Sequence, residues 1–229
     1  KPFMDSHPGV ELYKLGIGNT TEAIVPSVIE GLRKGVEKLS KRKTYTGYGD
    51  EQGDTRLRQA ISKWYAERGA DIDSSEVFVS DGAKSDCANI TAIFSDDAAV
   101  AISDPGYPVH REASIISGKR VVSMECPEKN NFMPRMPKEK VDLLYICSPN
   151  NPTGTAATKK QLRSYVAYAR KHKAIIIFDA AYSEYIGDPK LPRSIYEIKG
   201  AKSCAIEIQS LSKAAGFTGV RLGWTVVPK

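Results

Sequence analysis

The sequence predicts an α/β fold: an open, mostly parallel seven-stranded sheet with helices on both faces. The first observation behind this prediction is that short apolar runs alternate with amphipathic stretches along the 229 residues. The second is that some runs, such as IIIF at 175–178, are apolar at every position, which is typical of strands buried on both faces. The third is that the connections are short and the chain has no internal repeat. Together these features favour a parallel sheet between two layers of helices.

The order of the predicted elements gives the sheet its seven strands. They are expected at 76–80, 98–105, 119–126, 141–149, 174–182, 203–212 and 219–227. A helix is predicted to open in SDGAKSDCANITAIF (80–94), with Ser and Asp in capping positions. A short helix in HREASIISG is expected to end at Gly118, and a longer one runs from about 158 to 173. In such sheets a ligand lies beyond the carboxyl ends of the strands.

Composition excludes several classes of function. The net charge of +6 is scattered along the chain instead of forming one basic face, which argues against a nucleic-acid partner. No apolar run approaches the roughly 20 residues that cross a bilayer, so no membrane association is predicted. The four cysteines form no C-x-x-C pair and the three histidines have no ligand spacing, so we predict reduced thiols and no metal site.

Chemically useful side chains follow five of the predicted strands. The segments are SDGAK at 80–84, DPGYP at 104–108, SPNNPTG at 148–154, DAAY at 179–182 and SLSK at 210–213. Because parallel strands end at the same edge of a sheet, we expect these segments to meet although they span more than half of the chain.

One end of this expected site has the residues of a phosphate-binding turn. A glycine-containing turn that opens a helix binds phosphate through free N–H groups, and SDGAK fits this description. Seen alone, the segment is better explained as a plain helix N-terminus. Ser210, Ser212 and Arg221 would add donors, and arginine suits a bidentate contact with phosphate.

The other end combines an acid, an amine and aromatic residues. Asp179 is the last residue of an apolar strand, where a buried carboxylate needs a partner. It is either a helix cap or a member of an internal ion pair, or it is the partner of a protonated ring nitrogen. Enzymes that use pyridoxal phosphate combine such an acid with a Schiff-base lysine, here Lys213. Asn151 and Tyr182 would reach the phenolate oxygen of that cofactor, and Tyr107 either stacks on its ring or belongs to the core.

At these residues the chain resembles the class I and II pyridoxal phosphate-dependent aminotransferases, which have the aspartate aminotransferase fold. The resemblance extends from LGIGNTT to GVRLGW and rests on SPNNPTG, FDAAY and SLSKAAGFTGVRLG as a set. It implies a three-layer large domain of fold type I at 41–229 and an N-terminal segment at 1–40 that belongs to the small domain or a linker. It also implies that the small C-terminal domain, with the arginine that binds the substrate α-carboxylate, lies outside the 229 residues.

The resemblance assigns a role to each matched residue. Lys213, Asp179 and Tyr107 would be catalytic, with Tyr107 stacked on the ring. Cofactor contacts are implied for Ala83, Lys84, Tyr107, Asn151, Asp179, Tyr182, Ser210, Ser212, Lys213 and Arg221, and for Tyr48 toward the cofactor of a neighbouring subunit. Substrate contacts are implied for Gly18, Lys84, Tyr107 and Asn151. The glycine would allow a close approach that a Cβ would block.

Within this family the chain is most similar to the branch that exchanges an amino group between LL-2,6-diaminopimelate and 2-oxoglutarate, with SDGAK as its most diagnostic segment. The reaction yields glutamate and tetrahydrodipicolinate and serves lysine biosynthesis. The resemblance further implies a homodimer, and the reduced thiols predict a reducing interior, either the cytoplasm or the plastid stroma. Alternatives are another amino donor (aspartate, aromatic or lysine-type) and a non-catalytic relative of the same fold. A nucleotide-binding dehydrogenase is disfavoured, since no G-x-G-x-x-G follows a strand.

Overall fold

A computed structural model describes residues 2–13, 16 and 18–229. Within these residues seven strands form one sheet, and each lies inside a predicted range: β1 (Val77–Ser80), β2 (Ala99–Asp104), β3 (Arg120–Glu125), β4 (Leu143–Cys147), β5 (Ile175–Asp179), β6 (Ala205–Ser210) and β7 (Gly223–Val226). The helices are α1 (Pro2–Ser6), α2 (Pro26–Leu39), α3 (Thr55–Ala66), α4 (Ala83–Asn89), α5 (Pro108–Ile116), α6 (Lys159–His172) and α7 (Leu211–Ala214). The predicted seven-stranded sheet is therefore confirmed.

The sheet is mostly parallel, as predicted. Its strand order is β1-β7-β6-β5-β4-β2-β3. Only β7 runs against its neighbours, β1 and β6, while the other neighbouring pairs are parallel. Because β7 runs the other way, its first residue, Gly223, lies opposite Ser80 and Ser210, the last residues of β1 and β6. The start of β7 and the ends of the parallel strands therefore share one edge.

The core is divided between the two faces of this sheet. Leu144 and Ile146 of β4 belong to a buried cluster that includes residues of α3 and α6. The alternate residues of the same strand, Leu143 and Tyr145, belong to a second cluster that includes residues of α4. Successive side chains of a strand point to opposite faces, so a strand that is apolar at every position needs a helical layer on each side. The three-layer arrangement is confirmed.

The helix termini show one success and one error of sequence reasoning. Thr158 caps α6 by accepting a hydrogen bond from the N–H of Gln161, which confirms the helix predicted from 158 to 173. The prediction that Ser and Asp cap α4 is wrong, because its N-cap is Gly82, which has no side chain. Gly82 has φ of +124°, a conformation that favours glycine, and Ser80 Oγ accepts a hydrogen bond from its N–H at 3.3 Å. None of the described helices is long and apolar enough to cross a membrane.

Candidate active site

A cavity of about 690 Å³ opens at the edge where the parallel strands end. Segments from distant parts of the chain form its wall, as the rule for open α/β sheets predicts. The sequence-predicted residues that line it are Gly18, Ala83, Lys84, Tyr107, Asn151, Asp179, Tyr182, Ser210, Ser212, Lys213 and Arg221. Tyr48 is the predicted residue that the wall of this cavity does not include, and its side chain is fully exposed. The structure thus brings together every predicted site residue except one.

Lys213 extends its amine into this cavity from the short helix α7. The helix begins directly after β6, and Ser210 caps it by accepting a hydrogen bond from Ser212 N–H at 3.1 Å. The ammonium group donates a hydrogen bond to the backbone carbonyl of Gly18 and lies 5.9 Å from the centre of the Tyr182 ring. A Cβ added to Gly18 would meet no atom of the described residues within 4 Å, so packing against those residues does not require a glycine there.

Asp179 is the last residue of β5 and is only 3% exposed. Its Oδ2 atom lies 3.1 Å from Nε2 of His110, which is equally buried, and its Oδ1 accepts the N–H of Ala181 at 3.0 Å. The His110 ring stacks on Tyr145, with centroids 4.7 Å apart. The carboxylate is therefore held by its neighbours in a fixed orientation at the floor of the cavity, since burying a charged group requires hydrogen-bond partners.

His110 is a site residue that the sequence prediction missed. The three histidines have no metal-ligand spacing in the sequence, and no other role was predicted for them. A usable signal was present, because His110 follows Tyr107 by one helical turn at the start of α5, and residues at i and i+3 share a helix face. The two rings make an edge contact with centroids 5.4 Å apart.

Cys87 completes a compact group beneath the cavity. Its Sγ donates to Asp179 Oδ2 at 3.8 Å, and ligand-type atoms of Cys87, His110 and Asp179 all lie within 4.8 Å of one another. Burial, followed by the charge of Asp179, raises the pKa of the Cys87 thiol well above its usual value. Metals bind the thiolate, so a thiol held protonated serves instead as a hydrogen-bond donor to the acid. Sequence spacing could not reveal this group, since its members come from α4, α5 and β5.

Asn151 and Tyr182 place two polar groups side by side on another part of the wall. Asn151 follows β4 and Tyr182 follows the neighbouring strand β5. Asn151 Nδ2 donates to Tyr182 Oη at 3.5 Å. Burial raises the pKa of the Tyr182 phenol, so it remains protonated and able to donate at neutral pH. An oxyanion placed between the amide and the phenol would receive two hydrogen bonds.

Tyr107 lies at the start of α5, on the same wall. Burial and the nearby Asp179 carboxylate raise its pKa to about 12. Its phenol therefore stays neutral, and its ring offers an apolar face beside the carboxylate. The two sequence interpretations, stacking residue and core residue, are both compatible with a ring that is half-buried and lines the cavity.

The opposite end of the cavity gathers donors around the Gly82 turn. Arg221 Nη1 donates to Ser212 Oγ at 3.3 Å and to the Thr218 carbonyl at 3.2 Å. A Cβ on Gly82 would lie 2.4 Å from Arg221 Nη2, and a Cβ on Gly223 would lie 2.9 Å from the Gly82 Cα. The two glycines therefore let the turn, β7 and the guanidinium approach one another closely. With the first N–H groups of α4, which have no partner within the helix, this end can hold an anion.

Comparisons with known proteins show which family the chain belongs to. A family model described as "Aminotransferase class I and II" matches residues 10–229. A curated LL-diaminopimelate aminotransferase of Desulforapulum autotrophicum is 49% identical, over 98% of this chain and 58% of the relative. One of Parabacteroides distasonis is 48% identical, over 99% of this chain and 58% of the relative.

A solved structure shows the same likeness in three dimensions. The L,L-diaminopimelate aminotransferase of Chlamydomonas reinhardtii superposes with a TM-score of 0.90 at 42% identity, covering 100% of this chain and 59% of that one. The present chain thus spans a little under three fifths of the length of the relatives it matches.

Proposed function

The chain belongs to the class I and II aminotransferase family, and from that premise we propose that it forms the cofactor-binding part of a pyridoxal 5′-phosphate-dependent transaminase. The amino donor is LL-2,6-diaminopimelate and the acceptor is 2-oxoglutarate, with tetrahydrodipicolinate and glutamate as products. One observation carries the proposal. A single cavity is lined by side chains from four separate segments of the chain, namely Asn151, Asp179 with Tyr182, Lys213, and Arg221.

Three features of the cavity fit this cofactor. A buried carboxylate, Asp179, faces it and is already oriented by His110 for contact with a protonated ring nitrogen. An amine, Lys213, stands on the same wall for covalent attachment to an aldehyde. The glycines of the anion-binding end let the Gly82 turn, β7 and the Arg221 guanidinium approach one another closely, which a Cβ would prevent. An acid, an amine and an anion site in one cavity match the ring nitrogen, aldehyde and phosphate of pyridoxal 5′-phosphate.

The bound cofactor supplies an aldehyde that takes up the amino group and a ring that accepts electrons released at the substrate α-carbon. Asp179 would keep the ring nitrogen of the cofactor protonated, and His110 and Cys87 hold Asp179 in place. The Lys213 amine would hold the cofactor covalently and would move the proton at the substrate α-carbon. Asn151 and Tyr182 would donate hydrogen bonds to the phenolate oxygen.

The remaining residues bind and orient. Tyr107 would stack on the ring and exclude water from one of its faces. Charge-assisted hydrogen bonds would stabilise the bound phosphate. The residues that would surround it are Ala83, Lys84, Ser210, Ser212 and Arg221. Substrate contacts come from Gly18, Lys84, Tyr107 and Asn151, with the Gly18 backbone already beside the Lys213 amine.

The substrate assignment rests on the names of the relatives and on the SDGAK segment. Lys84 of this segment is an exposed cation at the cavity wall, suited to a carboxylate of the substrate. An aminotransferase with an aspartate, aromatic or lysine-type donor is the competing function. It would share the cofactor residues and differ in the donor that drives the first half of the reaction.

We further propose that residues 41–229 form the large domain, that 1–40 belong to the small domain or its linker, and that the enzyme is a homodimer. Tyr48 would then cross to the cofactor phosphate of the neighbouring subunit. Its full exposure supports this role, because a tyrosine that serves its own cavity would be partly covered. An active monomer in gel filtration would contradict the dimer.

The test uses the natural polypeptide that contains these residues, loaded with pyridoxal 5′-phosphate. LL-diaminopimelate should convert the absorbance of the lysine-linked cofactor to that of the aminated cofactor, and 2-oxoglutarate should restore it. A panel of aspartate, aromatic amino acids and lysine should do so more slowly. A protein that converts the cofactor faster with another donor has a different substrate, and a protein that shows no conversion with any donor is not a transaminase.

A further inference from the structure

Glu207 is a fully buried carboxylate in the middle of β6, away from the cavity wall. Its Oε1 accepts hydrogen bonds from Tyr65 Oη at 2.7 Å and Gln209 Nε2 at 2.9 Å. Its Oε2 accepts from Ser194 Oγ at 2.7 Å and from the N–H of Ile195 at 2.8 Å. A carboxylate offers about four acceptor positions, and here each is matched by a donor.

The direction of these bonds is fixed by the groups behind them. Tyr65 Oη already accepts from Trp224 Nε1 at 3.2 Å, and Ser194 Oγ already accepts from the N–H of Tyr196 at 3.0 Å. Both hydroxyl hydrogens are therefore left to point at Glu207, which acts only as an acceptor. Burial raises the pKa of Glu207, and the surrounding donors oppose that shift by stabilising its ionised form.

An acceptor-only Glu207 also fixes the orientation of Gln209. The Gln209 amide, itself only 2% exposed, must turn its nitrogen toward the carboxylate. Its oxygen then faces Ser183, whose hydroxyl donates to it at 3.2 Å. A one-way chain of hydrogen bonds thus runs from Ser183 through Gln209 to Glu207.

This chain ends next to the cavity. Ser183 is buried and directly follows Tyr182, whose phenol contacts Asn151 in the cavity wall. The backbone of the segment is held to the sheet at Ala180, whose N–H donates to the Ile208 carbonyl at 2.9 Å. After Ala180, the Ser183 hydroxyl links the segment to β6 by its hydrogen bond to the Gln209 side chain.

We propose that Glu207, acting through Gln209 and Ser183, is a positioning residue that fixes where the Tyr182 phenol stands in the cavity. This inference rests on the proposed function, in which Tyr182 donates a hydrogen bond to the cofactor's phenolate oxygen. Glu207 and Gln209 are not among the residues that line the cavity, and their side-chain hydrogen bonds lead toward it through Ser183 and the segment that carries Tyr182.

The readout is the pKa of the absorbance change of the bound cofactor, measured by spectrophotometric titration. A phenol that donates to the phenolate oxygen favours the deprotonated form, so Tyr182→Phe should raise this pKa. Ser183→Ala and Glu207→Gln should raise it in the same direction, by roughly half a unit or more. In the Tyr182→Phe background, Ser183→Ala should produce no further shift, because the group that it positions is gone.

Ser62→Ala is the matched control. The Ser62 hydroxyl also donates a short bond, to the Ile72 carbonyl at 2.7 Å, but it belongs to α3. The Ser62→Ala substitution should lower the urea concentration at the unfolding midpoint and leave the pKa of the bound cofactor unchanged.

A purely structural role for Glu207 gives a different result. Ser183→Ala and Glu207→Gln would then lower stability but leave the cofactor pKa where it is, or their shifts would add to that of Tyr182→Phe. Either result overturns the inference. If Glu207→Gln fails to fold, Ser183→Ala alone decides. A wild-type protein without bound-cofactor absorbance overturns the proposed function together with this inference, whereas a normal wild type with unshifted variants overturns the inference alone.

Discussion

Replacing Gly82 with alanine tests the anion-binding end of the cavity. Gly82 has φ of +124° and ψ of 154°, a conformation that costs a non-glycine residue about 1–3 kcal/mol. The new Cβ would also lie 2.4 Å from Arg221 Nη2, well inside the roughly 3.5 Å at which heavy atoms pack. The end of the arginine side chain must therefore move.

Moving the guanidinium breaks its hydrogen bonds to Ser212 Oγ and the Thr218 carbonyl and removes it from the phosphate position. A hydrogen bond to a charged group contributes about 1.5–3 kcal/mol, so Gly82→Ala should raise the Kd for pyridoxal 5′-phosphate about 10- to 100-fold. Equilibrium dialysis measures this directly. The affinity for pyridoxal, which lacks the phosphate, should change much less.

Gly118→Ala is the matched control, because Gly118 has φ of +73° but a Cβ there would meet no atom of the described residues within 4 Å. It should lower stability and leave the affinity for the cofactor unchanged. The reasoning fails if Gly82→Ala weakens the binding of pyridoxal and pyridoxal 5′-phosphate equally, or if Gly118→Ala weakens it as much.

Three further predictions concern the buried groups around the cavity. In His110→Asn the asparagine side chain is too short to reach Asp179, so protonation of the ring nitrogen should weaken and kcat should fall about 10-fold or more. The control His172→Asn, on α6, should keep the wild-type kcat. Because burial and the Asp179 carboxylate raise the pKa of Tyr107 to about 12, Tyr107→Phe should remove phenolate absorbance that develops near pH 12 and leave the part that develops near pH 10 unchanged. Loss of amplitude near pH 10 would contradict this assignment. All four cysteines are free and buried, so a thiol reagent should modify none of them rapidly in the native protein and all four after unfolding in urea.

Sequence reasoning predicted the sheet well because its signals are local. Each strand is a short apolar run, and a run that is apolar at every position requires cover on both faces. The rule that ligands bind at the carboxyl edge predicts Asn151, Asp179 and Lys213 in one cavity, and the structure agrees. The resemblance added specific roles to residues that the strand-end pattern had already selected.

The features of the site that could not be predicted from the sequence depend on contacts between residues that are distant along the chain. The pairing of His110 with Asp179 joins positions 69 residues apart, and neither has a local signal for the other. The buried acceptor Glu207 looks, in sequence, like one polar residue of an alternating strand, and its four donors come from three different parts of the chain. The predicted N-cap of α4 was wrong because the backbone conformation at Gly82 determined where the helix begins, and the capping preference of the neighbouring Ser and Asp did not.

The most direct test of the account is to locate the covalent link between chain and cofactor. The natural polypeptide is loaded with pyridoxal 5′-phosphate, reduced with borohydride, digested, and its peptides are weighed by mass spectrometry. We expect the cofactor mass on the peptide that contains Lys213 and none on Lys84, which lines the same cavity. Label on Lys84, label spread over many lysines, or an unchanged yield in Lys213→Ala would contradict the account.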